Sequence, residues 1–127
     1  MRNATLTVVG FAGVLLAGCT PFVEVVRVSP EETASLKSEV RVYESDELRK
    51  VTYSSAGSLE ATSCQLLITD PAASDEDAIN QLKYKARLLG ANGISNISCS
   101  KGGLSFTKNC WSYIVCRADA IRVTGGQ

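Results

Sequence analysis

Five cysteines stand out as the side chains of this chain that could carry covalent chemistry. The first of them closes the run Leu16-Ala17-Gly18-Cys19, which has the form of a bacterial lipobox. In that chemistry a thiol is alkylated to carry a diacylglycerol, and cleavage before the cysteine frees an amino group for a further acyl chain. The run therefore predicts that Cys19 is the first mature residue and that it is acylated.

The segment before Cys19 has the organisation of a secretory signal peptide, with a positive start, an apolar stretch and small residues before the cut. Arg2 supplies the charge and Val8 to Leu16 the apolar stretch. That stretch is well short of the roughly 20 apolar residues that a membrane-spanning helix needs. Residues 1–18 are therefore predicted to be removed. The alternative is an ordinary secretory signal whose mature protein happens to start near a cysteine.

The other four cysteines, Cys64, Cys99, Cys110 and Cys116, favour two disulfides, since an even number in a small exported chain is typical of an oxidising compartment. The competing interpretation is a four-cysteine zinc site, which usually brings its ligands in closely spaced pairs. The closest pair here, Cys110 and Cys116, has five residues between its members. We therefore expect disulfides, with neither a metal nor a cofactor.

Charge and histidine content argue against several classes of function. Lysine and arginine together number 13, as do aspartate and glutamate, so no basic field indicates a nucleic-acid partner. The chain has no histidine, which removes the usual general base and any Ser-His-Asp or Cys-His catalytic arrangement. It also has no C-x-x-C pair for redox chemistry. The composition therefore disfavours an enzyme.

Residues 19–39 are predicted to be the lipidated N-terminus and a tether, and residues 40–127 a single folded domain. The second half of the tether is polar. Its first half carries Phe22 and four valines with partial alternation, which favours a strand or a membrane-proximal segment that packs somewhere over a simple flexible linker.

The folded part shows alternating apolar and β-branched runs that predict strands. Turn residues separate them, and the final residues are expected to fray. In chain order the predicted features are a strand at Val40–Tyr43, a turn at Ser54–Gly57, strands at Ser58–Ile68 and Ile94–Cys99, a mobile hairpin loop at Ser100–Asn109, a central strand at Cys110–Cys116 that Ala120–Val123 continues, and a frayed tail at Thr124–Gln127.

The clearest helix is predicted from Ser74 to about Leu89. Ser74 is a good N-cap, and three acidic residues follow it at the positive end of the helix dipole. An apolar face is predicted at i, i+3, i+7 and i+10, and Gly90 suits the position after the helix. The members of that face are Ile79, Leu82, Ala86 and Leu89.

Strand geometry limits the disulfide pairing. In a strand that spans residues 110–116, Cys110 and Cys116 are about 20 Å apart at ~3.3 Å per residue. A disulfide needs Cα atoms within roughly 7 Å, so that pair is excluded. Two connectivities remain open at this point: Cys64–Cys110 with Cys99–Cys116, or Cys64–Cys116 with Cys99–Cys110.

The order and spacing of the cysteines, with the residues around them, resemble the RcsF family of outer-membrane lipoproteins. The similarity covers about Val40 to Val123 together with the lipobox. The residues that carry it are Cys64-Gln65, Lys83-Tyr84-Lys85-Ala86, Gly90-Ala91-Asn92, Ser98-Cys99, Asn109-Cys110-Trp111 and Val115-Cys116.

The resemblance implies a small α+β domain, a twisted sheet with one main helix stapled by two non-consecutive disulfides. Carried onto the matching cysteines, these would be Cys64–Cys110 and Cys99–Cys116. It also implies an outer-membrane lipid anchor, association with β-barrel proteins there, and contact with an inner-membrane IgaA-like regulator when the envelope is damaged.

We therefore expect an envelope-stress sensor of the Rcs phosphorelay that faces the periplasm and signals by protein–protein contact. The alternative is a structural or assembly lipoprotein that binds an outer-membrane β-barrel protein without signalling.

Overall fold

The computed structural model of the chain describes residues 24–126. Cys19 and the predicted signal peptide, residues 1–18, lie outside the described residues. The elements in chain order are α1 (Pro30–Glu39), β1 (Arg41–Tyr43), α2 (Ser45–Leu48), β2 (Val51–Gln65), α3 (Asp75–Leu88), β3 (Gly93–Gly102) and β4 (Ser112–Gly126).

The strands form a mixed sheet of four strands in the order β1-β3-β4-β2. β1 runs parallel to β3, whereas β4 is antiparallel to both of its neighbours, β3 and β2. Helices α1 and α3 pack together, and α3 also contacts β2, β3 and β4. The α+β class with one main helix over a small sheet is confirmed.

Local signals at both ends of α3 explain where this helix begins and ends. The Ser74 side chain accepts a hydrogen bond from the amide of Asp77 at 3.1 Å, as predicted for an N-cap. At the other end Gly90 takes a φ of 72°, and its amide donates to Arg87 while that of Ala91 donates to Ala86. These two bonds make a Schellman motif, which needs a left-handed residue where Gly90 lies.

The buried face of α3 differs in part from the predicted one. Leu82 and Ala86 are fully buried as expected, together with Ala78 and the polar Gln81. Leu89 is 41% exposed because the helix ends at Leu88 and the chain turns away at the next residues.

The hydrophobic core is rich in alanine. Large buried side chains come from Leu36, Val40, Leu82, Ile94 and Ile114. The positions between them are small, which lets α3 lie close to the sheet but limits the apolar area that folding removes from water. The alanines of the core are Ala61, Ala78, Ala86, Ala91, Ala118 and Ala120.

The second half of the predicted tether is a helix. Ser29 and Glu32 form a reciprocal capping box, with both hydrogen bonds at 3.2 Å, and Pro30 occupies the first turn. Leu36 is fully buried, so α1 is part of the folded domain up to Glu39. The polar composition of this stretch reflects the exposed face of a helix.

Several strand boundaries also differ from the predictions, including the end of β3 at Gly102 and the start of β4 at Ser112. β2 runs through the predicted turn at Ser54–Gly57, where a register shift against β4 and a φ of 131° at Gly57 indicate a β-bulge. The strand ends at Gln65 rather than at Ile68. The tail predicted to fray remains paired, since Gly125 and Gly126 lie opposite Thr52 and Val51.

The burial of Leu36 generates a stability prediction. Leu36→Ala should lower the free energy of unfolding by about 2–5 kcal/mol, because it leaves a cavity between α1 and the core. The exposed neighbour Lys37 provides the matched control, and Lys37→Ala should change stability by less than about 0.5 kcal/mol. Urea denaturation followed by circular dichroism measures both. Equal stability of the two variants would show that α1 is not part of the folded domain.

Candidate functional site

The first disulfide, Cys64–Cys110, lies at one end of the sheet. It joins β2 one residue before its end to the residue two positions before β4 begins, with a Cα–Cα distance of 5.5 Å. Cys110 is almost fully buried. The amide of Trp111 donates to the carbonyl of Gln65 at 2.8 Å, which holds the same two chain segments together.

The second disulfide, Cys99–Cys116, crosses between neighbouring strands. Cys99 lies directly opposite Cys116 in the register of β3 and β4, and the Cα–Cα distance is 4.1 Å. Cys116 is completely buried and belongs to the core. The two bridges are interleaved in sequence, and this is the pairing that the family resemblance implies.

A carboxylate lies beside the second disulfide. An oxygen of Asp75 is within 4.8 Å of the sulfurs of Cys99 and Cys116. The Asp75 carboxylate accepts a hydrogen bond from Lys101 Nζ at 3.1 Å. Both sulfurs are bonded to one another, so they offer no thiolate to a metal.

Exposed apolar side chains cluster in the two loops that the first disulfide connects. We call these residues the apolar end: Leu67, Ile68, Leu104, Phe106 and Trp111. Between the loops is an open cavity of about 310 Å³, to which Leu66, Phe106 and Trp111 all contribute. Phe106 is 86% exposed and Ile68 is 69% exposed.

The first of these loops, residues 66–70, is fixed by hydrogen bonds. Asp70 Oδ2 accepts from the amide of Leu67 at 3.0 Å, and Gln65 Nε2 donates to the Asp70 carbonyl at 2.9 Å. These bonds end β2 early and turn Leu67 and Ile68 out of the sheet. The predicted strand to Ile68 is wrong for this reason.

The second loop, residues 103–111, contains most of the hairpin loop predicted at Ser100–Asn109, and hydrogen bonds close its backbone. Ser105 and Cys110 exchange amide–carbonyl bonds of 2.9 and 3.1 Å, and Asn109 takes a φ of 54° within the turn. Phe106 lies at the tip. The signal that could have drawn attention to this loop is the presence of Leu104 and Phe106 among glycine and polar residues.

The segment before α1 is docked on α3 through a buried amide. Gln81 has no exposed surface, and its Oε1 accepts from the amide of Val26 at 3.3 Å. Its Nε2 donates to the Thr62 carbonyl at 3.0 Å and to Asp77 at 3.1 Å. Val28 packs against the core. We call residues 24–29 the docked segment; its residues 25–28 and Pro71 border a further cavity of about 360 Å³.

Among the described residues, three ionisable side chains outside the disulfides have shifted pKa values. The hydrogen bond from Ser35, followed by the charge of Arg87, lowers the pKa of Glu39. The backbone amide of Glu44 and the charge of Arg41 lower that of Glu47. Burial lowers the pKa of Lys83, with Lys37 adding to the effect. The two carboxylate shifts arise from hydrogen bonds and ion pairs of helix termini, whereas the Lys83 shift arises from burial and a like charge.

No helix among residues 24–126 is long and apolar enough to span a membrane.

Comparison with known proteins gives one family match. The model of the RcsF lipoprotein family matches residues 20–124, which is nearly the whole chain. No curated protein matches. Among solved structures, a protein of unknown function of the DUF74 family from Pediococcus pentosaceus is 18% identical with a TM-score of 0.40, over 67% of this chain and 95% of that one.

The two bridges generate a stability prediction. By the chain-entropy model, replacing Cys64 and Cys110 together by serine should cost about 4 kcal/mol, and replacing Cys99 and Cys116 about 3 kcal/mol. The larger loop gives the larger effect, because its sequence separation is 46 against 17. Urea denaturation of the oxidised variants measures both. A melting temperature unchanged by full reduction of the native protein would contradict a structural role.

Proposed function

Because the chain belongs to the RcsF lipoprotein family, we propose that it is an outer-membrane lipoprotein that senses envelope stress and signals to an inner-membrane regulator of the Rcs phosphorelay. The observation that carries this proposal is the extent of the family match. It covers residues 20–124, so it includes the docked segment, both disulfides and all the elements between them.

The architecture supports signalling by contact rather than by chemistry at the cysteines. Each of the four cysteines after Cys19 is in a disulfide that joins strands or loops. Those bridges hold loops of defined shape at one end of the domain, which is what a recognition surface needs. The RcsF family is one of signalling lipoproteins rather than of enzymes.

The proposed localisation depends on Cys19 and on the residue after it. Residues 1–18 act as the signal peptide, and the acyl chains on Cys19 hold the domain at the membrane. Thr20 follows the anchor. An aspartate at that position retains lipoproteins in the inner membrane, and with threonine there the protein passes to the outer membrane, facing the periplasm. The proposed partners are outer-membrane β-barrel proteins and an IgaA-like regulator.

Lipidation can be tested on the protein from its native host. The N-terminal peptide should begin at Cys19 and carry a diacylglycerol and a further acyl chain, since a single chain gives only marginal membrane binding. Mass spectrometry of that peptide gives the answer. An unmodified thiol on Cys19 would contradict the lipoprotein assignment.

Signalling by contact predicts that the domain activates the relay once it is no longer anchored in the outer membrane. A Cys19→Ala form, exported by an ordinary cleavable signal, should activate a reporter of the relay constitutively, because its binding surface can reach inner-membrane partners. A Thr20→Asp form, which keeps the acyl chains but is retained in the inner membrane, should do the same. The reporter output is compared at matched protein levels.

The control for both forms is a soluble variant with Leu36→Ala, whose domain is destabilised and should signal less. A silent reporter with an abundant, folded Cys19→Ala domain would favour the alternative of a structural lipoprotein that binds an outer-membrane β-barrel protein without signalling.

A further inference from the structure

We propose that the apolar end lies against the lipid surface in which the chain is anchored, so that the domain rests on the bilayer in one orientation. This inference rests on the lipid anchor of the proposed function. The proposed binding partner of the apolar end is the phospholipid surface around that anchor.

The composition of the apolar end fits a membrane interface. Its exposed fractions are 86% at Phe106, 69% at Ile68, 61% at Leu67, 58% at Leu104 and 46% at Trp111. So many large apolar side chains gathered at one end of a small domain mark an interaction surface. Tryptophan, with an apolar ring and a polar N–H, is enriched where membrane lipid meets water.

The charges of the two loops are compatible with an anionic lipid surface. Within the two loops, residues 66–70 and 103–111, the ionisable side chains are Asp70 and Lys108. Asp70 accepts a hydrogen bond from the amide of Leu67 within its own loop, which ties its carboxylate to the backbone. Lys108 is the cation of these two loops, and its Nζ lies 5.3 Å from the centre of the Tyr113 ring.

The docked segment sets how far the domain can lie from its anchor. With residues 24–39 held on the domain, five residues separate the acylated end of the chain from Glu24, counting Cys19 itself. Even fully extended, they reach about 18 Å at ~3.3–3.6 Å per residue. A folded chain of this size has a radius of gyration of roughly 13 Å, which corresponds to a diameter of roughly 34 Å for a compact sphere, about twice the reach of these five residues. The tether is thus too short to let the domain turn freely above the bilayer.

The docked segment runs toward the apolar end of the domain as it approaches the N-terminus. Glu32, at the start of α1, is 3.7 Å from Arg87 in the last turn of α3. Val26 is bonded to Gln81, near the middle of that helix. Val25 borders a cavity shared with Asp70. The chain therefore runs, toward its N-terminus, from the end of α3 to the loop that carries Leu67 and Ile68.

These observations favour lipid over a protein partner. A partner protein has to diffuse to the apolar end, whereas the bilayer is always close to it while the chain is anchored. The same short connection keeps the opposite end of the domain, where α3 terminates at Leu88, away from the membrane surface.

Trp111 is the single tryptophan of the chain and reports directly on the apolar end. The acylated protein is reconstituted into vesicles of phosphatidylethanolamine and phosphatidylglycerol, with and without brominated acyl chains. We expect its emission to shift to shorter wavelength on reconstitution and to be quenched by the brominated chains. Phe106→Asp together with Ile68→Asp should abolish both effects. The matched control Leu88→Asp, at a residue 68% exposed on the opposite end, should preserve them.

Other outcomes overturn the inference. Unquenched, water-exposed emission from protein whose acylation has been verified would do so, while leaving the signalling proposal untouched. A photo-crosslinker at position 106 that captures a defined protein in intact envelopes, in place of lipid, would assign the apolar end to a protein partner. Failure of acylation itself would instead remove the proposed function.

Discussion

The structure depends on the small apolar core between α3 and the sheet. Half of the core cluster is alanine, so the helix lies close to the strands but removes little apolar surface from water. In a chain of this size that leaves a narrow margin over the conformational entropy of the unfolded state. The two disulfides reduce that entropy, and Cys116 also contributes its sulfur to the core itself.

A second constraint comes from Gln81, whose buried amide must be satisfied by hydrogen bonds. It meets this need by bonding the edge of β2 at Thr62 and the backbone of Val26. Helix packing, sheet edge and N-terminal segment are therefore coupled at a single side chain. The consequence is geometric, because the position of the docked segment decides which end of the domain would face the proposed lipid anchor at Cys19.

Local chemistry made part of this fold predictable. Ser74 and Gly90 mark the ends of α3, and the cysteine pattern indicated the family and, through it, the disulfide pairing that the structure shows. The capping box at Ser29 and Glu32 was also readable, but the low apolar content of the stretch concealed its helix. Only Leu36 faces the core there, and burial of a single leucine gives no periodicity.

Other features depend on contacts between distant residues. The bulge at Gly57 follows from pairing with β4, and the early end of β2 follows from the hydrogen bonds of Gln65 and Asp70. The apolar end exists because Cys64–Cys110 brings together two loops that are far apart in the sequence. The surface cannot be predicted from a local pattern of apolar residues, because each of its two loops is short and irregular.

Residues 24–40 belong to the folded domain, which leaves a short connection to the proposed anchor at Cys19. Native-state hydrogen exchange, read at the amides of Val26 and Val40, tests it most directly. Their bonds to Gln81 Oε1 and to the Leu36 carbonyl should slow exchange well below the rate of an unstructured peptide. Peptide-like exchange at both amides, with α3 still protected, would show instead that residues 24–40 are a long free tether.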